Sequence, residues 1–356
     1  MKIGIVTQPL YNNYGGLLQN YALQQVLMRM GHEVKTIDFV CRQSFIRYFL
    51  SICKQLLVSV LKRKKHLVGE YVEFPMVRAE NINSFVQRFI HTTRTVYKYT
   101  RKFVQEEKFD AVITGSDQVW RPMYNMYLED MFLKFVPDKV CKIAYAASFG
   151  VDNWEYSASQ TERCARYAKR LRKISVREKS GVDLCNNQLH VDATWVLDPT
   201  MLAERDVYKS LLLEDVGTNF LFAYILDATP EKLAFIKKIA QKKNLEVRVY
   251  SADQNAELSV EEWVSMIAYA ELVVTDSFHG TVFSILFHRE FLSIVNQERG
   301  VARLSSLLAP LGLLYRMSNI THQHAVPTDT IDWASVDEKL EEERKRSIDF
   351  LRTALG

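Results

Sequence analysis

The chain has 356 residues, 48% of them apolar and 25% charged, with a net charge of +4. That length suits two domains of about 150–200 residues each, and the composition excludes a disordered chain. The charge is too mild to imply nucleic acid, although anionic small molecules remain compatible with it. Five cysteines, at 41, 53, 141, 164 and 185, show no CxxC pairing. They therefore indicate neither a zinc site nor a disulfide framework. The longest apolar run, near residues 45–61, is broken by Arg47 and Lys54, which argues against a membrane-spanning helix. The chain opens directly into a strand-like run whose apolar stretch is too short for a signal peptide. A cytoplasmic protein is expected.

In chain order, residues 2–8 are short, β-branched and apolar, as a buried strand should be. A loop through Asn12-Asn13-Tyr14-Gly15-Gly16 leads into a helix with Leu18, Tyr21, Ala22, Val26 and Met30 on one face, stopped by Gly31. Glu33–Val40 is a second strand, so the chain starts with a βαβ unit. Its repetition predicts a parallel sheet covered by helices. Further strands are expected at Asp110–Thr114, Lys142–Ala147, Ile174–Arg177 and Thr194–Leu197. A second series comprises Phe220–Leu226, Leu245–Tyr250, Leu272–Thr275 and Phe291–Val295. Thr229-Pro230 caps and opens one helix, and Ser259-Val260-Glu261-Glu262 is a capping box for another. The expected fold is α/β, with two doubly wound, Rossmann-like halves at 1–205 and 206–330. The charged helical stretch in 331–356 is expected to pack back on the first half.

Between residues 41 and 66, Phe45, Phe49, Ile52, Leu56 and Val60 fall at helical spacing, and the segment ends Lys62-Arg63-Lys64-Lys65-His66. Such a basic amphipathic helix can lie on an anionic membrane surface. It can equally be a packed helix with a solvated basic end.

In open α/β sheets, ligands bind beyond the carboxyl ends of the strands, so the residues that follow each strand are the candidates. Gly15 and Gly16 open a helix whose free N–H groups could hold an anion, or they simply make a tight turn. The spacing fits neither a GxGxxG nor a P-loop pattern. Gly115-Ser116-Asp117-Gln118-Val119-Trp120 mixes acidic, amide and indole groups of the kind that grip a sugar ring, although a loop Trp is often packing. Arg177 ends a strand and offers a planar fork to a carboxylate or phosphate, or pairs with Glu178. His279, in Asp276-Ser277-Phe278-His279-Gly280, follows a buried strand and starts a helix, where it can exchange a proton or meet an anion. Arg299 and Arg303 could add positive charge to the same rim. No metal-ligand spacing is visible.

Six ordered motifs carry a family resemblance. They are Asn13-Tyr14-Gly15-Gly16-Leu17-Leu18-Gln19, the run Phe109-Asp110 through Trp120, and Ala144-Tyr145-Ala146-Ala147-Ser148-Phe149-Gly150. Then come Ile174-Ser175-Val176-Arg177-Glu178-Lys179-Ser180, Leu197-Asp198-Pro199-Thr200 and Thr275–Gly280. On these residues the chain resembles the polysaccharide pyruvyl transferase family from residue 1 to about 316. The resemblance implies a GT-B-like pair of domains with the active site in the cleft between them. It also implies transfer of a pyruvyl unit from phosphoenolpyruvate to two hydroxyls of a lipid-linked or nucleotide-linked sugar during surface-polysaccharide assembly, with no cofactor.

By that resemblance His279 is the acid–base or phosphate-contacting group and Arg177 the anion clamp. Gly15, Gly16, Ser277, Arg299 and Arg303 would face the donor, and Asn13, Asp117, Gln118 and Trp120 the acceptor. Ser277 stands where members often carry Arg, which loosens the assignment of the donor. Two other readings remain. One is a glycosyltransferase with a nucleotide-sugar donor, using Asp117, Trp120 and Glu262. The other is a non-catalytic glycan-binding protein of the same fold.

Overall fold

The computed structural model describes residues 1–40, 78–125, 127–251, 258–295, 301–319 and 329–356. The basic amphipathic stretch at 45–66 and Arg299 both lie outside the described residues. Among the described residues, no helix is long and apolar enough to cross a membrane.

Two parallel sheets form, as the alternating pattern requires. The first contains β1 (Lys2–Val6), β2 (Glu33–Thr36), β3 (Ala111–Thr114), β4 (Cys141–Ala147), β5 (Lys173–Val176) and β6 (Thr194–Trp195), in the order β2-β1-β3-β4-β5-β6. The second contains β7 (Phe220–Ile225), β8 (Glu246–Ser251), β9 (Leu272–Thr275), β10 (Glu290–Ile294) and β11 (Met317–Ser318), in the order β11-β10-β9-β7-β8. Each sheet has a switch point, between β1 and β3 and between β7 and β9, where successive connections leave to opposite sides. The loops at those carboxyl ends splay apart and leave a crevice.

Six helices position the site: α1 (Tyr14–Arg29), α2 (Pro230–Lys243), α3 (Val260–Tyr269), α4 (Phe278–Leu286), α5 (Val301–Leu308) and α6 (Trp333–Leu355). Local chemistry sets their starts. Thr229 Oγ1 accepts from the Lys232 N–H, which caps α2. The Ser259 and Glu262 side chains each bond the other's backbone N–H, completing the box that opens α3.

Helix α1 departs from the one-sided pattern expected of it. Nearly every residue from Tyr14 to Leu27 is buried, including Gln19, Asn20 and Gln24. Each of these amides makes at least one hydrogen bond. Gln19 Nε2 donates to Thr7 Oγ1 at 2.8 Å, and Gln24 Nε2 donates to Thr36 Oγ1 at 2.7 Å. The helix is buried all round because it lies between the halves. Tyr14 donates to the Leu258 carbonyl at 2.7 Å and stacks on Trp263 at 5.5 Å, and one apolar cluster runs from Ile3 and Leu18 to Trp263 and Phe283.

Helix α6 packs on the first half. Ser347 Oγ accepts from the Leu197 N–H at 3.0 Å, and Arg344 Nε donates to the Met201 carbonyl at 2.7 Å.

Candidate active site

Loops from both sheets meet above the carboxyl ends of the strands. Strand β5 ends in Arg177, whose side chain is only 1% exposed. Its Nη1 donates to Asp198 Oδ2 at 2.8 Å, its Nη2 lies 3.5 Å from Asp117 Oδ1, and its Nε lies 3.6 Å from Glu178 Oε1. The ring of Phe278 from the second half covers it at 4.6 Å. The three carboxylates are themselves held. Ser116 Oγ donates to Asp198 Oδ2 at 2.7 Å, Asn13 Nδ2 donates to Asp117 Oδ2 at 3.1 Å, and the Ser148 hydroxyl donates to Glu178.

Burial opposes charge throughout this cluster, and the neighbours decide the outcome. It works against the Arg177 cation, but Asp198, Glu178 and Asp117 more than offset it and raise the guanidinium above its usual range. Burial would also raise Asp198. The His279 ring and the Arg177 guanidinium override it and hold that carboxyl well below the ordinary range. Glu178 goes the other way, because its burial outweighs Arg177 and Ser148 and its carboxyl is raised. Arg303, on α5, sits in the same cluster, where burial and the like charge of Arg177 pull it down to about 10.

His279 reaches this group from the amino end of α4. Its Nε2 stands 3.8 Å from Asp198 Oδ2, an ion-pair distance, and has no hydrogen-bond partner although the residue is buried. Gly15 makes the position possible. A Cβ on residue 15 would fall 1.9 Å from His279 Nδ1, so the ring occupies the volume that any side chain there would need. Gly15→Ala is therefore expected to push the histidine away. It should cost about 1–3 kcal/mol in denaturant unfolding and lower turnover about a hundredfold through misplacement. Wild-type turnover in that variant would show that the ring need not sit against Gly15.

Ser277 caps α4 by accepting from the Gly280 N–H at 3.3 Å. Asp276 is a structural tie between loops: it accepts from the Leu226 N–H at 2.6 Å and pairs with Lys232 Nζ at 2.6 Å. Removing that cation in Lys232→Met should cost about 3–5 kcal/mol, since Asp276 would be left buried and unpaired; chemical denaturation measures it.

Several expected residues take other parts. Trp120 is not a sugar platform, because it is fully buried. It stacks on Phe132 at 4.5 Å and donates its Nε1–H to the Met131 carbonyl. Arg177, expected as a free anion clamp, is occupied by its own chain's carboxylates, of which Glu178 is only one. Glu262 is a capping residue. Asn13 caps α1 by accepting from the Gly16 N–H, and Gln118 accepts from Arg121. Asp117 holds Arg177 and Asn13 from a left-handed backbone at φ 76°. Gly16 lies beside these two, since a Cβ on it would come within 3.3 Å of both side chains.

Sequence reasoning did not place Asp198, Ser116 or Ser148 in the site. All three left a trace, since each lies in one of the six motifs just after a strand.

The profile of the polysaccharide pyruvyl transferase family matches residues 13–298 of this chain. The chain belongs to that family. The transferase is thus a member of an enzyme family. No curated protein matches it.

Among solved structures the transferase is similar to MnaA of S. aureus in a co-structure with UDP. The identity is 11% over 98% of this chain and 90% of that one, with a TM-score of 0.48. It is also similar to UDP-GlcNAc 2-epimerase from Methanocaldococcus jannaschii, at 9% identity over 99% and 100% of the chains and a TM-score of 0.45. For the Streptomyces sp. SF2575 glycosyltransferase SsfS6 the figures are 12%, 99%, 99% and 0.42.

Proposed function

We propose that this transferase moves the pyruvyl unit of phosphoenolpyruvate onto two hydroxyls of one sugar in polysaccharide assembly, forming a ketal. The observation that carries the reading is the approach of His279, with Nε2 unpartnered, to the Arg177–Asp198 cluster across the two halves. A buried imidazole in that position can carry a proton at neutral pH.

The chemistry needs such a group. The methylene carbon of the donor gains a proton, and a sugar hydroxyl loses its proton as its oxygen bonds to the adjacent carbon. The carbon–oxygen bond to phosphate then breaks, and the second hydroxyl adds with loss of its proton to the departing phosphate. His279 is the group proposed to move the first of these protons. Asp198 Oδ2, 3.8 Å from Nε2, is proposed to orient the ring.

Arg303 is the proposed cation for the donor. Its charge is destabilised by burial and by Arg177, so an arriving phosphate or carboxylate would relieve a cost already present. The amino end of α4, with Ser277, and that of α1, with Gly15 and Gly16, are proposed to add oriented N–H groups.

Calorimetric titration with phosphoenolpyruvate, beside uridine, guanosine and cytidine diphosphates, tests the donor. Saturable phosphoenolpyruvate binding that weakens in Arg303→Met supports the reading. Nucleotide binding with phosphoenolpyruvate silent would replace it with a nucleotide-sugar donor.

A further inference from the structure

Trp120 is sealed in the core, yet the same loop presents aromatic surface four residues later. Tyr124 is 41% exposed, Met123 65% and Tyr127 39%. The Tyr124 ring lies over the Arg121 guanidinium, 5.3 Å from its centroid. That guanidinium is fixed by a two-pronged pair with Glu155, in which Nε and Nη2 each donate at 3.1 Å. Asn125 locks the loop from the other side. Its Nδ2 donates to the carbonyls of Gln118 at 3.1 Å, Val119 at 2.8 Å and Arg121 at 3.3 Å. The result is an exposed ring on a loop held by these bonds, so little ordering remains to be done on binding. Arg121 Nη1 also donates to Gln118 Oε1 at 3.3 Å, and the Gln118 N–H donates to Asp117 Oδ1 at 2.8 Å, so hydrogen bonds tie the ledge to the buried cluster.

We infer that the Tyr124 ring, backed by Arg121 and flanked by Met123, is the platform for the acceptor pyranose, whose hydroxyls then face the Asp117 end of the loop. A pyranose has an apolar C–H face and a polar edge. A rigid amphipathic ring beside charged groups matches both at once. This rests on the reading above in one respect, that a sugar supplies the attacking hydroxyls; it does not depend on the donor.

The test is saturation-transfer NMR with irradiation confined to the aromatic protons of the full-length protein. The probes are the methyl pyranosides of glucose, galactose and mannose, each beside uridine. Wild type and Tyr124→Phe should pass saturation to the C–H protons of one pyranoside face. In Tyr124→Ala that transfer should fall at least about threefold, while calorimetric binding of phosphoenolpyruvate stays unchanged. Equal transfer in wild type and Tyr124→Ala would overturn the assignment, as would a wild type that passes saturation to no pyranoside. Tyr124-dependent transfer to uridine alone would give the ledge to a nucleotide. If phosphoenolpyruvate does not bind but the pyranoside signal still follows Tyr124, the donor reading fails and the platform stands.

Discussion

His279→Ala is expected to lower pyruvyl transfer about 100- to 10,000-fold, the usual worth of a positioned acid–base group, while the chain still folds. Folding should survive because Asp198 keeps its other partners when the ring is gone. Ser116 Oγ donates to its Oδ2 at 2.7 Å, Thr200 Oγ1 donates to its Oδ1 at 2.6 Å, and Arg177 remains in place. Phosphate release from phosphoenolpyruvate in the presence of a sugar acceptor measures the first quantity, and thermal unfolding the second. Calorimetry separates the two roles open to the residue. If the ring moves a proton, donor affinity stays near wild type and turnover falls. If it only holds phosphate, affinity and turnover fall together. Full turnover in His279→Ala would remove it from the chemistry.

Arg177→Met should cost about 3–5 kcal/mol of stability, because it strands carboxylates that lost their hydration on folding. Asp198, Asp117 and Glu178 all face that guanidinium, and all are buried. The loss should depend on pH. Glu178 is already raised by burial, and without Arg177 the cluster's carboxyls rise further. A carboxyl with a folded pKa above its unfolded value of about 4.3 takes up protons on folding, so it destabilises the fold above that value and is relieved as the pH falls. The deficit against wild type should therefore be greatest near about pH 8 and shrink towards about pH 5. Urea unfolding at several pH values checks it. A deficit independent of pH would mean that lost packing against Phe278, and not stranded charge, accounts for the effect.

The two variants also separate two kinds of work in one cluster. His279 is proposed to act on the substrate, whereas Arg177 holds together the acidic residues that surround it. An arginine at a strand's carboxyl end suggests anion capture when seen alone. Here the anions that it captures are carboxylates of its own chain. Arg303, arriving from the second half, is the cation proposed for the donor.

The alternation of β-branched runs with capped helices determined the two parallel sheets. Those signals are local: a buried strand needs apolar residues in succession, and a helix needs its first N–H groups satisfied by neighbours such as Thr229 or the Ser259–Glu262 box. The candidate site's location followed for the same reason, since the loops after β1, β3 and β5 must emerge on one rim of the first sheet and that after β9 on one rim of the second. What each rim residue does was decided only by tertiary structure. Trp120 and Tyr124 stand four residues apart in one loop, and only the fold buries the first against Phe132 and leaves the second exposed. Gly15 and His279 are 264 positions apart, and nothing local reveals that one must lack a side chain for the other to fit. Burial, charge pairing and excluded volume depend on which distant residues arrive together, and that information is held in the packing of the two halves.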